Sequence, residues 1–273
     1  MVEDCISARK EVSVYPLIIA HRGASAHAPE NTMAAFRMAI DCGADGVEFD
    51  VQLARDGVPV VIHDTDLRRV AGLPKRVNEL TSIELLELDV GSWFADKKLK
   101  SRDPSFRGEG VPTLEMVLEL CSHMRGPIYV ELKCDASSYR QLTSAACDVI
   151  RRTRTSAPII IKSFYLPALA EVRRLLPTVE TAALFAPQLS FLTRSRRIVD
   201  LARGVEAQHI SLHTYIARRR LTRLARKSNM QVTVWTADHP RWLRRCGQRG
   251  ISALITNDPA KMLSKRRTGR PAT

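Results

Sequence analysis

The sequence has no C-x-x-C pair, no phosphate loop or dinucleotide fingerprint, and few aromatic residues, 5% of the chain. No apolar run approaches the roughly 18 residues that a membrane span requires. Each absence excludes something. The six cysteines (Cys5, Cys42, Cys121, Cys134, Cys147, Cys246) are scattered singly. That argues against a zinc site and reads as the reduced, idle thiols of a cytosolic protein. The segment HRGASAHA at 21–28 lacks G-x-G-x-x-G, so it is not a Rossmann turn. The chain starts with acidic Glu3 and Asp4 before a short apolar stretch. This is not a secretory signal, and the expected location is the cytoplasm. Acidic residues are also scarce where basic ones abound. Residues 137–273 carry 7 Asp/Glu against 26 Lys/Arg, whereas residues 1–136 carry 22 against 16. Such a basic half suits anionic partners, or forms solvated helix faces.

What is present is a rhythm. Eight short β-branched runs, at 17–21, 45–51, 127–132, 158–164, 180–185, 207–212, 231–236 and 251–256, alternate with amphipathic stretches such as 31–43, 113–121, 138–152 and 166–176. Repeated βα units of this kind build parallel sheets. Eight of them in 273 residues point to a closed (β/α)₈ barrel, although periodicity alone does not separate a closed barrel from an open sheet. Residues 57–112 break the rhythm. They are too long for an ordinary βα loop, contain an extra strand at 57–63, and read as a small insertion with its own short helices, one capped by Thr81 or Ser82. The barrel is expected over 1–264, and the basic stretch 265–273 as a disordered tail.

In such a barrel, side chains at the C-terminal strand ends converge on one face. Strand one ends in His21-Arg22, the second carries Glu48 and Asp50, the extra strand ends in His63-Asp64, the third in Glu131-Leu132-Lys133, the fourth in Lys162-Ser163-Phe164 and the seventh in Trp235. Glu48 and Asp50, two apart on a strand, point the same way and would repel unless a cation joins them. A lysine such as Lys133 could serve. Three convergent carboxylates, with Glu131 as the third, favour a hard divalent cation, Mg²⁺ or Ca²⁺. His21 and His63 beside such a metal form a general acid/base pair, and Arg22 and Lys133 suit a phosphate oxyanion. Together these groups suggest phosphoester cleavage.

The stretches AHRGASAHAPENTMAAF, GADGVEFDVQLARDGVPVVIHD, VPTLEMVL and IYVELK resemble the glycerophosphodiester phosphodiesterase family. The ordered set H-R-G, P-E-N-T, E-x-D, H-D and E-L-K carries the resemblance. It extends through SF at 163–164, VTVWTADHP at 232–240 and GISALITNDP at 250–259. It implies a TIM barrel with a small insertion after the second strand, a divalent metal at Glu48, Asp50 and Glu131, and acid/base histidines at His21 and His63. Arg22 and Lys133 match positions near the phosphate. Glu30 matches a residue near the metal or its waters. Asn31 matches one that orients a histidine or caps the first helix. Phe164 and Trp235 match apolar positions at the mouth. The implied reaction is hydrolysis of a small glycerophosphodiester to sn-glycerol 3-phosphate and an alcohol, with attack by the glycerol 2-hydroxyl and a cyclic phosphate as one route. WTADHP and ITNDP depart from the more usual W-T-V-N and T-D-x-P.

Two other readings fit parts of the chain. One is lysophospholipase D-like action on lipids, with the arginine-rich helices touching an anionic membrane. It calls for a wide apolar mouth, for which Trp93, Phe94, Trp235 and Trp242 are the candidates. The other is a non-catalytic barrel that holds an anionic ligand. Nucleic acid is disfavoured as a partner, because the basic segment 217–227 contains no aromatic residue for stacking.

Overall fold

The computed structural model describes residues 15–96, 101–102, 104–187 and 194–268. Its elements are β1 (Leu17–His21), α1 (Met33–Asp41), β2 (Gly46–Leu53), β3 (Pro59–Val61), α2 (Arg68–Ala71), α3 (Ser82–Leu86), β4 (Ala95–Asp96), β5 (Ser101–Arg102), α4 (Leu114–Leu120), β6 (Ile128–Leu132) and α5 (Tyr139–Arg152). There follow β7 (Ile159–Ser163), α6 (Leu166–Leu175), β8 (Glu180–Phe185), α7 (Ser195–Gly204), β9 (His209–His213), α8 (Arg219–Lys227), β10 (Gln231–Trp235), α9 (Arg241–Arg249), β11 (Ala253–Thr256) and α10 (Pro259–Thr268). Eight strands pair in parallel in the order β1-β11-β10-β9-β8-β7-β6-β2, and a β1–β2 pairing closes the ring. The fold is a TIM barrel. β3 adds antiparallel to the end of β2.

The strands are buried on both faces, as a barrel wall covered by helices requires. Outward residues such as Val47 and Phe49 pack on α1, where Phe36 meets Phe49 edge-on with ring centroids 5.6 Å apart. Inward residues Ile19, Tyr129, Ile160, Ala182, Ala253 and Ile255 fill the lower barrel. The outer core falls into two parts. One lies under α1, α4, α5 and α6, and the other under α7 to α10.

Residues 57–112 have their own apolar cluster, with Val60, Leu67, Val70, Val77, Leu85 and Val111 buried together. α3 is tied to the tip of the β2–β3 hairpin. Ser82 Oγ donates to Asp56 Oδ2 at 2.8 Å and Arg55 Nη2 to Glu84 Oε2 at 3.0 Å. This places the insertion beyond the C-terminal end of β2. Thr81, not Ser82, is the cap of α3, in a reciprocal capping box with Glu84.

The basic tail begins later than the sequence suggests. Residues 265–268 continue α10, because Met262 and Leu263 are buried beneath it and the Arg266 guanidinium pairs with Asp45. Residues 269–273 lie outside the described residues, as do residues 1–14 with Cys5. Cys42, Cys121, Cys134, Cys147 and Cys246 are free thiols. Among the described residues no helix is long and apolar enough to cross a membrane.

Candidate active site

Strand register assembles the centre. β1–β2 pairing sets His21 opposite Glu48, β2–β6 pairing sets Asp50 opposite Glu131, and β6–β7 pairing sets Glu131 opposite Lys162. The two-residue period of β2 turns Glu48 and Asp50 to the same inward side. The Glu48, Asp50 and Glu131 side chains are buried, and one oxygen from each lies within 4.8 Å of the others.

Two lysines enter this cluster. Lys133 Nζ lies 3.1 Å from Asp50 Oδ1 and 2.7 Å from Glu131 Oε1. Lys162 Nζ, itself buried, lies 2.6 Å from Glu48 Oε1 and 3.3 Å from Glu131 Oε2. Burial disfavours both ammonium charges, yet the carboxylates outweigh it and hold both lysines above the ordinary range. Burial likewise opposes the Asp50 carboxylate. Lys133 first, then Arg22 and the nearby His63 and His21, outweigh it and drive Asp50 well below the usual range.

The lysine contacts are close ion pairs with poor hydrogen-bond angles. Both Glu48 oxygens and Glu131 Oε1 accept no well-formed hydrogen bond. Three convergent buried carboxylates in an all-oxygen set, with Glu48 Oε2 left without a donor, fit a hard divalent cation. Glu48, Asp50 and Glu131 are therefore the residues that can hold one.

The first loop carries strain at the residues that reach this cluster. Arg22 and Asn31 take left-handed φ values of 57° and 59°. Gly23 follows at φ 80°, where a Cβ would come within 2.6 Å of the Ala35 backbone. Held this way, Arg22 Nε sits 3.1 Å from Asp50 Oδ2, and its Nη1 donates to Glu30 Oε1 at 2.9 Å. Asn31 Nδ2 donates to Asp50 Oδ2 at 3.1 Å. Among the described residues Asn31 makes no hydrogen bond to a histidine, and it does not cap α1. Thr32 is the cap, its side chain accepting from the Ala35 amide.

His21 is held by residues of the two tail-end motifs, and His63 by its own neighbour in the H-D pair. Asn257 Oδ1 lies 2.6 Å from His21 Nδ1, and His21 Nε2 lies 3.8 Å from Glu48 Oε2. Asp238 fixes Asn257, accepting from its backbone amide and its side-chain amide at 2.8 Å each. An acceptor on Nδ1 puts the proton there and leaves Nε2 free toward the carboxylates. His63 Nδ1 lies 2.7 Å from Asp64 Oδ1, and Arg69 Nε donates to Asp64 Oδ2 at 2.6 Å. Arg69 Nη2 continues to Glu30 Oε1 at 2.6 Å. An unbroken ion-pair chain thus runs from Asp50 through Arg22, Glu30, Arg69 and Asp64 to His63. Gln52 Nε2 reaches the carbonyls of Ile62, His63 and Asp64 at 3.1, 3.0 and 2.8 Å and sets the backbone beneath His63.

The mouth is aromatic on its far side. Phe164 and Trp235, from the non-adjacent strands β7 and β10, meet with centroids 5.7 Å apart. His213 joins Trp235 at 5.0 Å and Tyr215 at 5.0 Å. The candidate aromatic residues Trp93, Trp235 and Trp242 do not come together in one mouth. Trp93 packs in the insertion with Phe94, and Trp242 is buried under Arg245 and Arg249 on α9. A cavity of about 650 Å³ opens beside His63 and Lys133, with Phe164, Arg76 and Ser138 among its walls.

Sequence reasoning thus brought together His21, Arg22, Glu30, Asn31, Glu48, Asp50, His63, Glu131, Lys133, Phe164 and Trp235, and all lie at this end of the barrel. It missed the positions of Lys162, Arg69, Gln52, Asp238 and Asn257. The two tail-end motifs WTADHP and ITNDP, noted only as departures from the usual pattern, were the available signal for the last pair.

Buried carboxylates able to hold a divalent ion, ringed by cations and flanked by imidazoles at the C-terminal end of a TIM barrel, define an enzyme centre for an anionic substrate. The model of the glycerophosphoryl diester phosphodiesterase family matches residues 21–261. A glycerophosphodiester phosphodiesterase of Caldanaerobacter subterraneus subsp. tengcongensis is 31% identical over 255 residues, covering 93% of this chain and 98% of the relative. An Oleispira antarctica phosphodiesterase, solved with the product sn-glycerol-3-phosphate, superposes with a TM-score of 0.80 at 25% identity, covering 93% of this chain and 98% of that one. A glycerophosphodiester phosphodiesterase from Thermotoga maritima gives a TM-score of 0.70 at 26% identity, covering 91% and 97%. The chain belongs to the glycerophosphoryl diester phosphodiesterase family.

Proposed function

We propose that this chain hydrolyses glycerophosphodiesters to sn-glycerol 3-phosphate and an alcohol, with His21 and His63 as the general acid/base pair. The observation that carries this reading is the convergence of both imidazoles on one carboxylate cluster, each with Nδ1 engaged by an oxygen and so with Nε2 left free. Glu48, Asp50 and Glu131 hold the divalent cation, Mg²⁺ or Ca²⁺, which supplies charge neutralisation at the phosphate when bound. Arg22 and Lys133, already drawn to Asp50, offer N–H donors to the phosphate oxygens. One histidine takes the proton from the attacking hydroxyl, either water or the glycerol 2-hydroxyl; in the second case the cyclic phosphate left by departure of the alcohol is then opened by water to sn-glycerol 3-phosphate. The other gives a proton to the leaving alcohol. Phe164 and Trp235 contact the apolar parts of the substrate at the mouth.

The test is glycerol 3-phosphate release from glycerophosphocholine, glycerophosphoethanolamine and glycerophosphoinositol, with Mg²⁺ or Ca²⁺ and with EDTA. Release that needs the cation and is lost in His21→Ala and Glu48→Ala supports the assignment. No release from any of the three by folded, cation-supplied protein overturns it.

A further inference from the structure

Three consecutive helices begin with positive charge at the end where the helix dipole disfavours it. α7 starts at N-cap Arg194 with Arg196 and Arg197 behind it, α8 at N-cap Arg218 with Arg219 and Arg220, and α9 at Arg241 with Arg244 and Arg245. None of the three has an acidic residue in its first turn or a side-chain cap. None of these arginines forms an ion pair among the described residues. Two of them bear on Arg249 at the end of α9, whose guanidinium is pushed below its usual range by burial first and then by Arg245 and Arg219. Because each helix follows a parallel barrel strand, all three N-termini lie at the end of the barrel that holds the active site.

A second observation points to the same face. Four large apolar side chains are noted as exposed among the described residues: Ile83, Leu86, Phe164 and Tyr215. All four follow C-terminal strand ends. Phe164 comes directly after β7, Tyr215 after β9 and before Arg218, and Ile83 and Leu86 sit three apart on α3 in the insertion. Tyr215 is 78% exposed and Ile83 67%. The opposite end also carries basic side chains, in the last turns of α7, α8 and α9, but among the described residues no exposed large apolar side chain accompanies them.

We infer that this rim, formed by the loops after β7 and β9 and the first turns of α7, α8 and α9, is a docking surface for an anionic phospholipid bilayer. Charge complementarity selects the occupant. Unpaired guanidiniums match lipid phosphates, and exposed tyrosine and phenylalanine beside them suit the headgroup layer. The arginines head three consecutive helices on one flank of the barrel, and Arg218 to Lys227 hold no aromatic residue on which bases could stack. The inference concerns binding alone and stands whether or not the proposed hydrolysis is correct.

The test is sedimentation of the full chain with phosphatidylcholine vesicles, with and without phosphatidylglycerol, at physiological ionic strength. Retention is expected only with phosphatidylglycerol. The triple variant Arg218→Glu/Arg219→Glu/Arg220→Glu should lower the partition coefficient about a hundredfold, near fivefold per arginine. The same variant should melt no lower than the parent, because acids at a helix N-terminus are favourable. This separates lost docking from lost folding. Reversing the same amount of charge at the other barrel end, with Arg125→Glu/Arg203→Glu/Lys227→Glu, should change partition less than about threefold, since those sites lie beyond the screening length. Absence of phosphatidylglycerol-dependent retention overturns the inference, and so does equal loss in the two triple variants. Single-stranded DNA bound more tightly than the vesicles at the same salt, and released by the rim variant, also overturns it and gives the surface to nucleic acid.

Discussion

Between Leu17 and Leu132 the buried and bridging arginines are matched to carboxylates: Arg22 to Glu30 and Asp50, Arg69 to Glu30 and Asp64, Arg55 to Glu84. Between Arg194 and Arg249 no arginine has a carboxylate partner among the described residues. The helices differ in the same way. Thr32, Thr81 and Thr113 cap α1, α3 and α4 with their side chains, while α7, α8 and α9 are uncapped and headed by arginine. One half of the barrel uses charge in specified pairs that fix side-chain geometry. The other leaves it exposed, where it acts as a field over the mouth. The same two charged groups therefore do different work according to whether their partner is inside the chain or outside it.

The sharpest way to test that division is to remove a histidine. His21→Ala or His63→Ala should lower kcat by about 10²–10⁴ in a glycerol 3-phosphate release assay. Parent-like turnover in either variant would remove the acidic half's claim to the chemistry. Next comes Lys162, a cation of the basic half that is buried and paired. Lys162→Met should cost about 3–5 kcal/mol in denaturant unfolding with EDTA present, because Glu48 is left buried without its partner. Added Ca²⁺ or Mg²⁺ should recover much of that loss if the carboxylates hold the ion. An unchanged midpoint would show that Lys162 does not balance the cluster.

Asp238 and Asn257 also cross from the basic half to the site. Asp238→Asn should reduce kcat by about 10–100-fold with little change in KM, since the support of His21 is loosened. The exchange Asp238→Asn/Asn257→Asp should restore part of it, because an acid and an amide again face each other. No recovery would leave Asp238 with a purely structural role.

Acid separates the halves in another way. Burial would raise Glu30, but Arg22 and Arg69 outweigh it, and Asp64 is lowered against burial by Arg69 and His63. A carboxyl depressed in the folded state contributes stability above the ordinary carboxylate range and loses it as pH falls through the folded value. Hydrogen exchange should therefore show α2 and the insertion opening before α7 to α9 as pH drops below about 4. Simultaneous opening would break the contrast. The smallest effects are at the caps. Thr113→Ala should destabilise by about 1 kcal/mol and Arg218→Ser should stabilise by a similar amount, read by denaturant midpoint.

Much of this was legible without coordinates. Strand identity followed from short β-branched runs, and the i, i+2 spacing of Glu48 and Asp50 put them on one face because a strand has a period of two. Several of the residues that escaped reading have partners distant in sequence. Arg69 reaches Glu30 39 positions away, and Asn257 reaches His21 across 236. No local pattern encodes such pairs. Lys162 was visible as a strand-end residue, but whether it faced the carboxylates depended on the register between β6 and β7. Trp93, Trp235 and Trp242 were only candidates for a shared mouth, and they lie in three environments, because apolar character says that a side chain is buried and not where.

The sequence by itself determined the βα repetition, the long insertion after the second strand, the set of acids, imidazoles and cations that the strand ends present, and the split of charge between the halves. These are local or compositional properties, set by periodicity and residue type. Only the tertiary structure decided that two lysines enter the carboxylate cluster, that Asp238 and Asn257 hold His21, that an ion-pair chain joins Asp50 to His63, and that arginine-headed helices and exposed apolar side chains share the active-site face. The hold on His21 depends on closing the ring between β1 and β11, and the entry of the lysines on the register of β2, β6 and β7. Closure brings strands from opposite ends of the chain into register and aligns every strand end on one side.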